Sequence, residues 1–464
     1  MTRREALKSA ASATLGAAAA LSGRAALRAQ GGRSVKRPNI IFIMADDLGY
    51  GDLGCYGQEM IRTPNLDRMA AEGVRFTDVY AGHTVCAPSR CCLMTGLHTG
   101  HALVRNNGRV PLRPSPQDVT IAEILKAAGY STGIVGKWGL GEPGSTGIPN
   151  RKGFDEWFGY LNQVNAHNYY PEYLWKNDEQ YALDGNLGGK KGTYSHNLFT
   201  AEARDFIQHH SDESFFLYLP YTIPHANNEL GRETGDGMEI PNYAPYTDAP
   251  WPQPQKGHAA MITRLDRDVG RILQLLKDVG IDDNTIVFFT SDNGPHKEGG
   301  ADPAFFNSWG PLRGYKRDLH DGGIRVPMIV RWPGKIRPGR TSPEPWAFWD
   351  FLPTAAELAG AEAPAGIDGI SMLPAILGQR QQSHDYLYWE FIHGRNFNQA
   401  VRMDNWKAVR LHLDQPVELY DLSKDIGEKQ DVAARHPDIV AKAAELFNTA
   451  RVDSREFPVP KPRT

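Results

Sequence analysis

Short apolar strands that end in polar residues constrain the fold of this chain more than any other feature. The sequence predicts such strands at Asn39–Met44, Ser131–Val135, Phe215–Leu219 and Thr285–Phe289. Helical periodicity lies between them, for example at Val119–Ala128 and Met261–Val279. Continuous apolar strands that alternate with helices are typical of a largely parallel sheet covered by helices on both faces. The sequence therefore predicts an α/β fold of this kind.

The polar residues that follow these strands are candidates for one shared site. Ligands of open parallel sheets collect at the carboxyl ends of the strands. Residues that are far apart in the chain would converge there: Asp46, Asp47, Lys137, His225, Asp292 and Asn293.

The pattern changes after about Leu377 to short alternating strands followed by a helix near Ile439–Ala450. Alternation of apolar and polar residues is typical of an antiparallel sheet with one buried face. We therefore expect the main α/β domain at 37–376 and a small C-terminal α+β subdomain with an antiparallel sheet at 377–464.

The first thirty residues are typical of a cleavable export signal. Arg3 and Arg4 precede an uncharged, Ala-rich run of 15 residues, Ser9–Gly23, whereas a membrane-spanning helix needs about 20 apolar residues. The segment 1–30 resembles a twin-arginine signal, which implies an exported, periplasmic or extracellular protein rather than an integral membrane protein. The alternative is an Ala-rich amphipathic helix that stays on the protein.

Composition excludes several classes of protein. The chain has 464 residues with 41% hydrophobic and 23% charged content, which is typical of a globular protein. Its formal net charge of −3 gives no indication of nucleic-acid binding. The four cysteines are Cys55, Cys86, Cys91 and Cys92, and three of them are crowded into seven positions. Adjacent cysteines do not easily bridge to each other, so we expect no disulfide framework and a chemical role for one thiol.

The sharpest motif is Cys86-Ala87-Pro88-Ser89-Arg90, with Leu93-Met94-Thr95-Gly96 shortly after it. The motif resembles the signature of the formylglycine-dependent (type I) sulfatases, of the arylsulfatase and carbohydrate sulfatase kind, in the alkaline phosphatase superfamily. Further matches occur in the family's order and extend the resemblance from Arg37 to the C-terminus. They are Asp46-Asp47, Gly136-Lys137-Trp138, Pro224-His225, Ser291-Asp292-Asn293-Gly294, Lys316 and Asp321–Pro327.

The resemblance implies a sulfuric ester hydrolase with an alkaline-phosphatase-like fold. A maturating enzyme would oxidise one cysteine to formylglycine (3-oxoalanine), and one Ca²⁺, favoured over Mg²⁺, would bind beside it. The implied catalytic residues are Cys86, Arg90, Lys137, His225 and Lys316, and the implied metal ligands are Asp46, Asp47, Cys86, Asp292 and Asn293. The residue types fit this chemistry, because arginine and lysine stabilise sulfate oxygens and hard oxygen ligands suit Ca²⁺ or Mg²⁺.

By the same resemblance, a hydroxyl of hydrated formylglycine attacks sulfur, and the second hydroxyl then expels sulfate. His225 with Lys316 would protonate the leaving oxygen. One position departs from the family, since many members have a histidine where this chain has Gly139. Either another base such as His83 regenerates the aldehyde, or water does. We expect His167 and His196 to be ordinary loop histidines.

The expected substrate is a sulfated carbohydrate or polysaccharide. The polar and aromatic residues that we expect near the sugar are Asn106, Tyr170, Trp309, His393 and Arg395. Their alternative role is packing between the subdomain and the main domain. Two other functions stay open: a phosphate or phosphonate ester hydrolase of the same superfamily, and a non-catalytic glycan-binding protein with unmodified Cys86. The sequence determines neither the sugar and its sulfated position, nor exo or endo action, nor the oligomeric state.

Overall fold

The computed structural model describes residues 37–461, so the predicted export signal at 1–30 lies outside the described residues. Within that described range, every helix is too short or too polar to cross a membrane.

A large mixed sheet of 11 strands forms the centre of the described chain. Its strands are β1 (Asn39–Ala45), β2 (Val74–Tyr80), β3 (Ser131–Lys137), β4 (Glu156–Tyr160), β5 (Tyr173–Lys176), β6 (Glu179–Ala182), β7 (Phe215–Pro220), β8 (Thr285–Ser291), β9 (Arg325–Arg331), β10 (Arg340–Ser342) and β11 (Trp346–Ala347). They lie in the order β10-β2-β9-β8-β1-β7-β3-β4-β5-β6, and β11 pairs with β2.

The middle of this sheet is parallel, as the sequence predicts. β1 pairs in parallel with β7 on one side and with β8 on the other, and β3 pairs in parallel with both β7 and β4. Antiparallel pairs occur only toward the edges of the described sheet, where β9 lies between β2 and β8 and where β5 pairs with β4 and β6. All residues of β1 and β8 are buried, which explains their continuous apolar sequences.

Helices cover both faces of the sheet. Alternate side chains of β1 enter different apolar cores: Phe42 belongs to one and Ile43 to the other. The longer helices are α1 (Pro64–Glu72), α2 (Cys86–Thr95), α3 (Ile121–Ala127), α4 (Ser195–His209), α5 (Asn228–Thr234), α6 (Gln253–Asp278) and α8 (Phe351–Ala359); α7 (Asp321–Ile324) and α9 (Leu373–Leu377) are short. Helices α2, α3 and α8 line the core that contains Phe42, whereas α1, α4 and α6 line the other.

The C-terminal part contains the predicted antiparallel sheet. It consists of β12 (Leu387–His393), β13 (Asn396–Met403), β14 (Trp406–Arg410) and β15 (Glu418–Asp421), followed by α10 (Pro437–Thr449). Tyr388 packs toward α10, whereas its neighbour Trp389 joins the main core beside Trp349. The two parts therefore share apolar packing, and the boundary at 376/377 stays a prediction.

A buried lysine ties this small sheet to the main domain. Lys407 on β14 donates from Nζ to Leu319 O at 2.9 Å and to Asp321 Oδ1 at 2.7 Å. Glu428 Oε1 lies 3.5 Å from the same nitrogen. Burial alone would lower the pKa of Lys407, but Asp321 and Glu428 outweigh it and raise the pKa. The contact fixes the segment that follows Lys316.

Replacing Lys407 with alanine should therefore destabilise the protein strongly. The change would leave the buried carboxylate of Asp321 without this partner, and breaking a buried ion pair typically costs about 3–5 kcal/mol. Lys424 is the matched control, since its side chain is 82% exposed although it also contacts an aspartate, Asp421. Lys424→Ala should cost less than about 1 kcal/mol. Urea unfolding of both variants measures the difference, and equal losses would contradict this role of Lys407.

Candidate active site

Four parallel strands bring the predicted polar residues to one edge of the sheet. β1 and β8 are in register to Ala45 and Ser291, so Asp46 and Asp292 leave the sheet side by side. The amide of Asp292 donates to Ala45 O at 3.1 Å. Lys137 is the last residue of β3, and His225 follows β7.

Cys86 is the first residue of helix α2 and is buried, with 1% exposure. Its thiol donates to Asp46 Oδ1 over 3.3 Å. The next amide, of Ala87, donates to Asn107 Oδ1 at 2.9 Å. Burial raises the pKa of the Cys86 thiol well above its usual range, and Asp292 and Asp46 raise it further. An unmodified Cys86 in this position is a protonated thiol and a weak nucleophile.

Arg90 and Lys137 surround Asp46. One turn after Cys86, Arg90 contacts Asp292 Oδ2 at 2.7 Å and Asp46 Oδ2 at 3.5 Å. It also donates to the backbone oxygen of Lys137 at 2.7 Å. Lys137 Nζ lies 2.6 Å from Asp46 Oδ2. Burial would raise the pKa of Asp46, but Lys137 and Arg90 outweigh it and hold the pKa well below its usual range.

Asp47 has a positive backbone φ of 65°, which residues other than glycine rarely adopt. Such strain persists where the surroundings fix it, often at functional sites. Its amide donates to Asp292 Oδ1 at 3.0 Å, and its Oδ1 accepts from Asn293 Nδ2 at 2.7 Å. Its Oδ2 lies 2.7 Å from Lys316 Nζ.

The donor set fits a hard divalent cation. Ligand atoms of Asp46, Asp47, Cys86 and His225 all lie within 4.8 Å of one another. Asn293 Oδ1 is buried and has no hydrogen-bond partner among the described residues. Burial raises the pKa of Asp292 to about 7, with Asp46 contributing, so the neighbouring cations do not fully compensate the charge of this carboxylate. Carboxylate and amide oxygens are typical ligands of Ca²⁺ and Mg²⁺.

His225 and Lys316 form a second contact group beside this cluster. His225 Nδ1 donates to Ala226 O at 2.6 Å, so Nε2 accepts from Lys316 Nζ at 3.1 Å. Burial and Lys316 lower the pKa of His225 to about 3. Lys316 also contacts Glu298 Oε2 at 3.2 Å. The sequence reasoning did not include Glu298, although it lies five residues after Asn293 in the same loop.

The structure gives His83 no role as a base in its present conformation. His83 Nε2 donates to Glu390 O at 2.9 Å, and Nδ1 accepts from the Val85 amide at 3.1 Å. Both nitrogens are occupied by the protein, and burial lowers the pKa of His83 to about 3.

Gln163 fills the space beside Gly139, the position that departs from the family motif. Gly139 has φ of +83°, and a Cβ there would lie 2.0 Å from Gln163 Nε2. Both polar atoms of the Gln163 side chain are buried without a partner among the described residues. A side chain at 139 and Gln163 would compete for the same space. Both residues line a cavity of about 160 Å³ that Asn107 also borders.

The structure brings together three of the residues that the sequence predicts near the sugar and places the other two in different segments. Asn106 donates to Ile392 O at 2.6 Å, which places it beside the exposed turn containing His393 and Arg395. Tyr170 packs against Tyr194 with ring centroids 5.4 Å apart. Trp309 is half-buried in a segment that packs on the loop after Asp47, where the Gly51 amide donates to Ser308 O. Their contact with substrate stays a prediction.

Comparison with known proteins identifies the family. The family model Sulfatase matches residues 38–361, and the model for the C-terminal part of N-sulphoglucosamine sulphohydrolase matches residues 314–451. The chain is 30% identical to N-acetylgalactosamine-6-O-sulfatase of Bacteroides thetaiotaomicron, over 90% of this chain and 94% of that protein. It is 35% identical to N-acetylgalactosamine-6-sulfatase of Rattus norvegicus, over 80% of this chain and 71% of that protein.

A solved structure shows the same architecture. It is that of Ps i-CgsB in complex with k-i-k-neocarrahexaose, with a TM-score of 0.78, 29% identity, and coverage of 92% of this chain and 94% of that chain. The chain therefore belongs to the sulfatase family, whose members are sulfuric ester hydrolases. The predicted alkaline-phosphatase-like fold is confirmed.

We predict that Ca²⁺ binds to chelator-treated protein and that Asp47→Asn weakens binding by about tenfold or more, because one carboxylate charge of the ligand set is lost. Isothermal titration calorimetry measures the affinity. The control is Asp283→Asn, which changes an exposed aspartate and should leave the affinity within twofold of wild type. Equal affinities in all three proteins would contradict the proposed ligand role of Asp47.

Proposed function

We propose that this protein is an exported sulfatase that removes sulfate from a carbohydrate, with formylglycine made from Cys86 and one bound Ca²⁺. The observation that carries the proposal is the buried Cys86 at the start of α2, in contact with Asp46 among three cationic side chains. When present, formylglycine supplies a geminal diol as the nucleophile, and the ion supplies Lewis-acid polarisation.

The unmodified thiol is poorly suited to be the nucleophile itself. Its pKa is raised by burial and by two carboxylates, so the thiolate is scarce at neutral pH. Its position nevertheless suits a reactive group, because α2 starts there and the positive end of the helix dipole favours a bound anion. Conversion to an aldehyde accounts for both properties.

The charges of the site support the proposal of a bound cation. Four carboxylates and four cations form two ion-paired groups: Asp46 and Asp292 with Arg90 and Lys137, and Asp47 and Glu298 with Lys316 and Arg317. Their formal charges cancel, so these residues alone give little net attraction for an anionic ester. A divalent cation would give the site a net positive charge, and the cationic side chains would then hold the sulfate oxygens.

The group most suited to assist the leaving oxygen is the pair of His225 and Lys316. Lys316 keeps its proton, because burial is outweighed by Asp47 and Glu298 and its pKa is raised. His225 is neutral, and its Nε2 accepts from Lys316 and so orients the ammonium. In this arrangement Lys316 holds the proton nearest to a leaving alcohol, and His225 positions it.

A carbohydrate substrate is supported by the relatives, two of which are named for N-acetylgalactosamine sulfate and one of which was solved with a neocarrahexaose. The twin-arginine-like segment at 1–30 supports export. Formation of the aldehyde also requires a partner, a formylglycine-generating or sulfatase-maturating enzyme.

Replacing Cys86 with alanine should abolish sulfatase activity, by at least about a thousandfold in kcat, because no side chain can then form the diol. Cys55→Ala is the matched control, since it removes a cysteine outside the signature and should keep wild-type activity. Mass spectrometry of the digested wild-type protein should find a lighter signature peptide, because Cys86 loses sulfur and two hydrogens and gains one oxygen. Undiminished turnover by Cys86→Ala, or a fully unconverted peptide in active protein, would overturn the nucleophile assignment.

A second measurement separates sulfate from phosphate chemistry. The substrates are paired sulfate and phosphate esters of the same alcohols, including 4-nitrophenol and N-acetylgalactosamine substituted at oxygen 6. We expect the enzyme to prefer the sulfate ester of each pair by about a hundredfold or more in kcat/KM. A panel of defined sulfated saccharides then identifies the sugar with the highest kcat/KM. A preference for phosphate would instead favour a phosphate or phosphonate ester hydrolase.

A further inference from the structure

His167 lies at the candidate site although the sequence gives it no role there. Its ring is parallel to that of His225, with centroids 4.8 Å apart and an interplanar angle of 10°. The segment that carries it follows Gln163, which fills the space beside Gly139. His167 therefore belongs to a segment that contacts both His225 and Gly139.

A carboxylate from a separate helix fixes the orientation of this ring. Glu229, in the first turn of α5, lies with Oε2 3.0 Å from His167 Nδ1. The carboxylate accepts a hydrogen bond, so the proton of a neutral imidazole is on Nδ1 and the lone pair is on Nε2. Burial and then Lys137 lower the pKa of His167, and the bond to Glu229 only partly offsets them. The ring is therefore neutral at pH 7.

The other histidines of the site have no free acceptor. His83 uses both nitrogens in bonds to backbone groups. His225 donates from Nδ1 and accepts from Lys316 at Nε2. His296 donates from Nε2 to Pro224 O and accepts the Glu298 amide at Nδ1. Among these rings, His167 Nε2 alone has no hydrogen-bond partner within the described chain, and its side chain is 14% exposed.

We propose that His167, held by Glu229, binds the sugar on the leaving-group side of the ester by accepting a hydrogen bond at Nε2 from a sugar hydroxyl. This inference rests on the proposed function. His167 stacks on the histidine that orients Lys316, so it lies beside the pair that would assist the leaving alcohol. A neutral imidazole of fixed tautomer accepts at one nitrogen only, which selects a hydroxyl or amide donor and disfavours a second sulfate.

Two substitutions separate the acceptor from the ring. His167→Phe keeps an aromatic ring for the stack on His225 and removes Nε2, whereas His167→Gln removes the ring and offers a carboxamide oxygen as acceptor. Each variant is assayed with the best saccharide of the panel and with 4-nitrophenyl sulfate, which has no hydroxyl to donate. The measured quantity is the ratio of kcat/KM for the saccharide to kcat/KM for the aryl ester.

This ratio should fall about tenfold or more in His167→Phe, mainly through a higher KM, and should recover in part in His167→Gln. Glu229→Ala should lower the ratio by a smaller factor, because the His167 ring loses its fixed tautomer. The control is His209→Phe at the exposed end of α4, which should not change the ratio. Saccharides deoxygenated at one position identify the bound hydroxyl, since removing it should cost wild type more than His167→Phe.

An unchanged ratio in His167→Phe would overturn the inference. If kcat/KM then falls equally for both substrates, the ring serves only to pack against His225. These outcomes are distinct from a failure of the proposed function. That failure would appear as undiminished turnover by Cys86→Ala, whatever the variants of His167 do.

Discussion

Buried, paired charge at the carboxyl edge of the parallel sheet is the interaction on which the rest of this structure depends. Arg90, Asp46 and Asp292 are each almost fully buried, and the guanidinium of Arg90 contacts both carboxylates. Removing one partner of such a group leaves a charge in a medium that cannot solvate it, which typically costs several kcal/mol. The strands, the start of α2 and the loops must therefore hold these side chains in a fixed arrangement.

The free-energy cost of burying these charges explains why the outer parts of the fold contribute contacts to the site. The C-terminal sheet contributes Trp389 to the main core and Lys407 to the segment after Lys316. Helix α5 contributes Glu229, which orients His167 at the edge of the site. Elements remote in sequence thus fix residues at or near the site, and a divalent cation would add the positive charge that the balanced side chains lack.

The sequence predicted much of the site because most of the site residues belong to short local motifs. Asp46 and Asp292 each follow a buried strand and Lys137 ends another, and the rule that ligands collect at carboxyl ends of parallel strands placed them together. Their catalytic and ligand roles stay predictions. Glu298, Gln163 and His167 were missed because they lie in loops whose paths follow no period, and no local pattern shows what a loop side chain contacts.

The sequence by itself determined the fold class, the antiparallel C-terminal sheet and the convergence of the strand-end residues, because hydrophobic period and strand order are properties of the chain. The tertiary structure alone decided which nitrogens are available for chemistry. His83 is three residues from Cys86 yet has both nitrogens occupied, whereas His167, 81 residues away, has a free acceptor. The reason is that hydrogen bonding of a side chain is set by its neighbours in space.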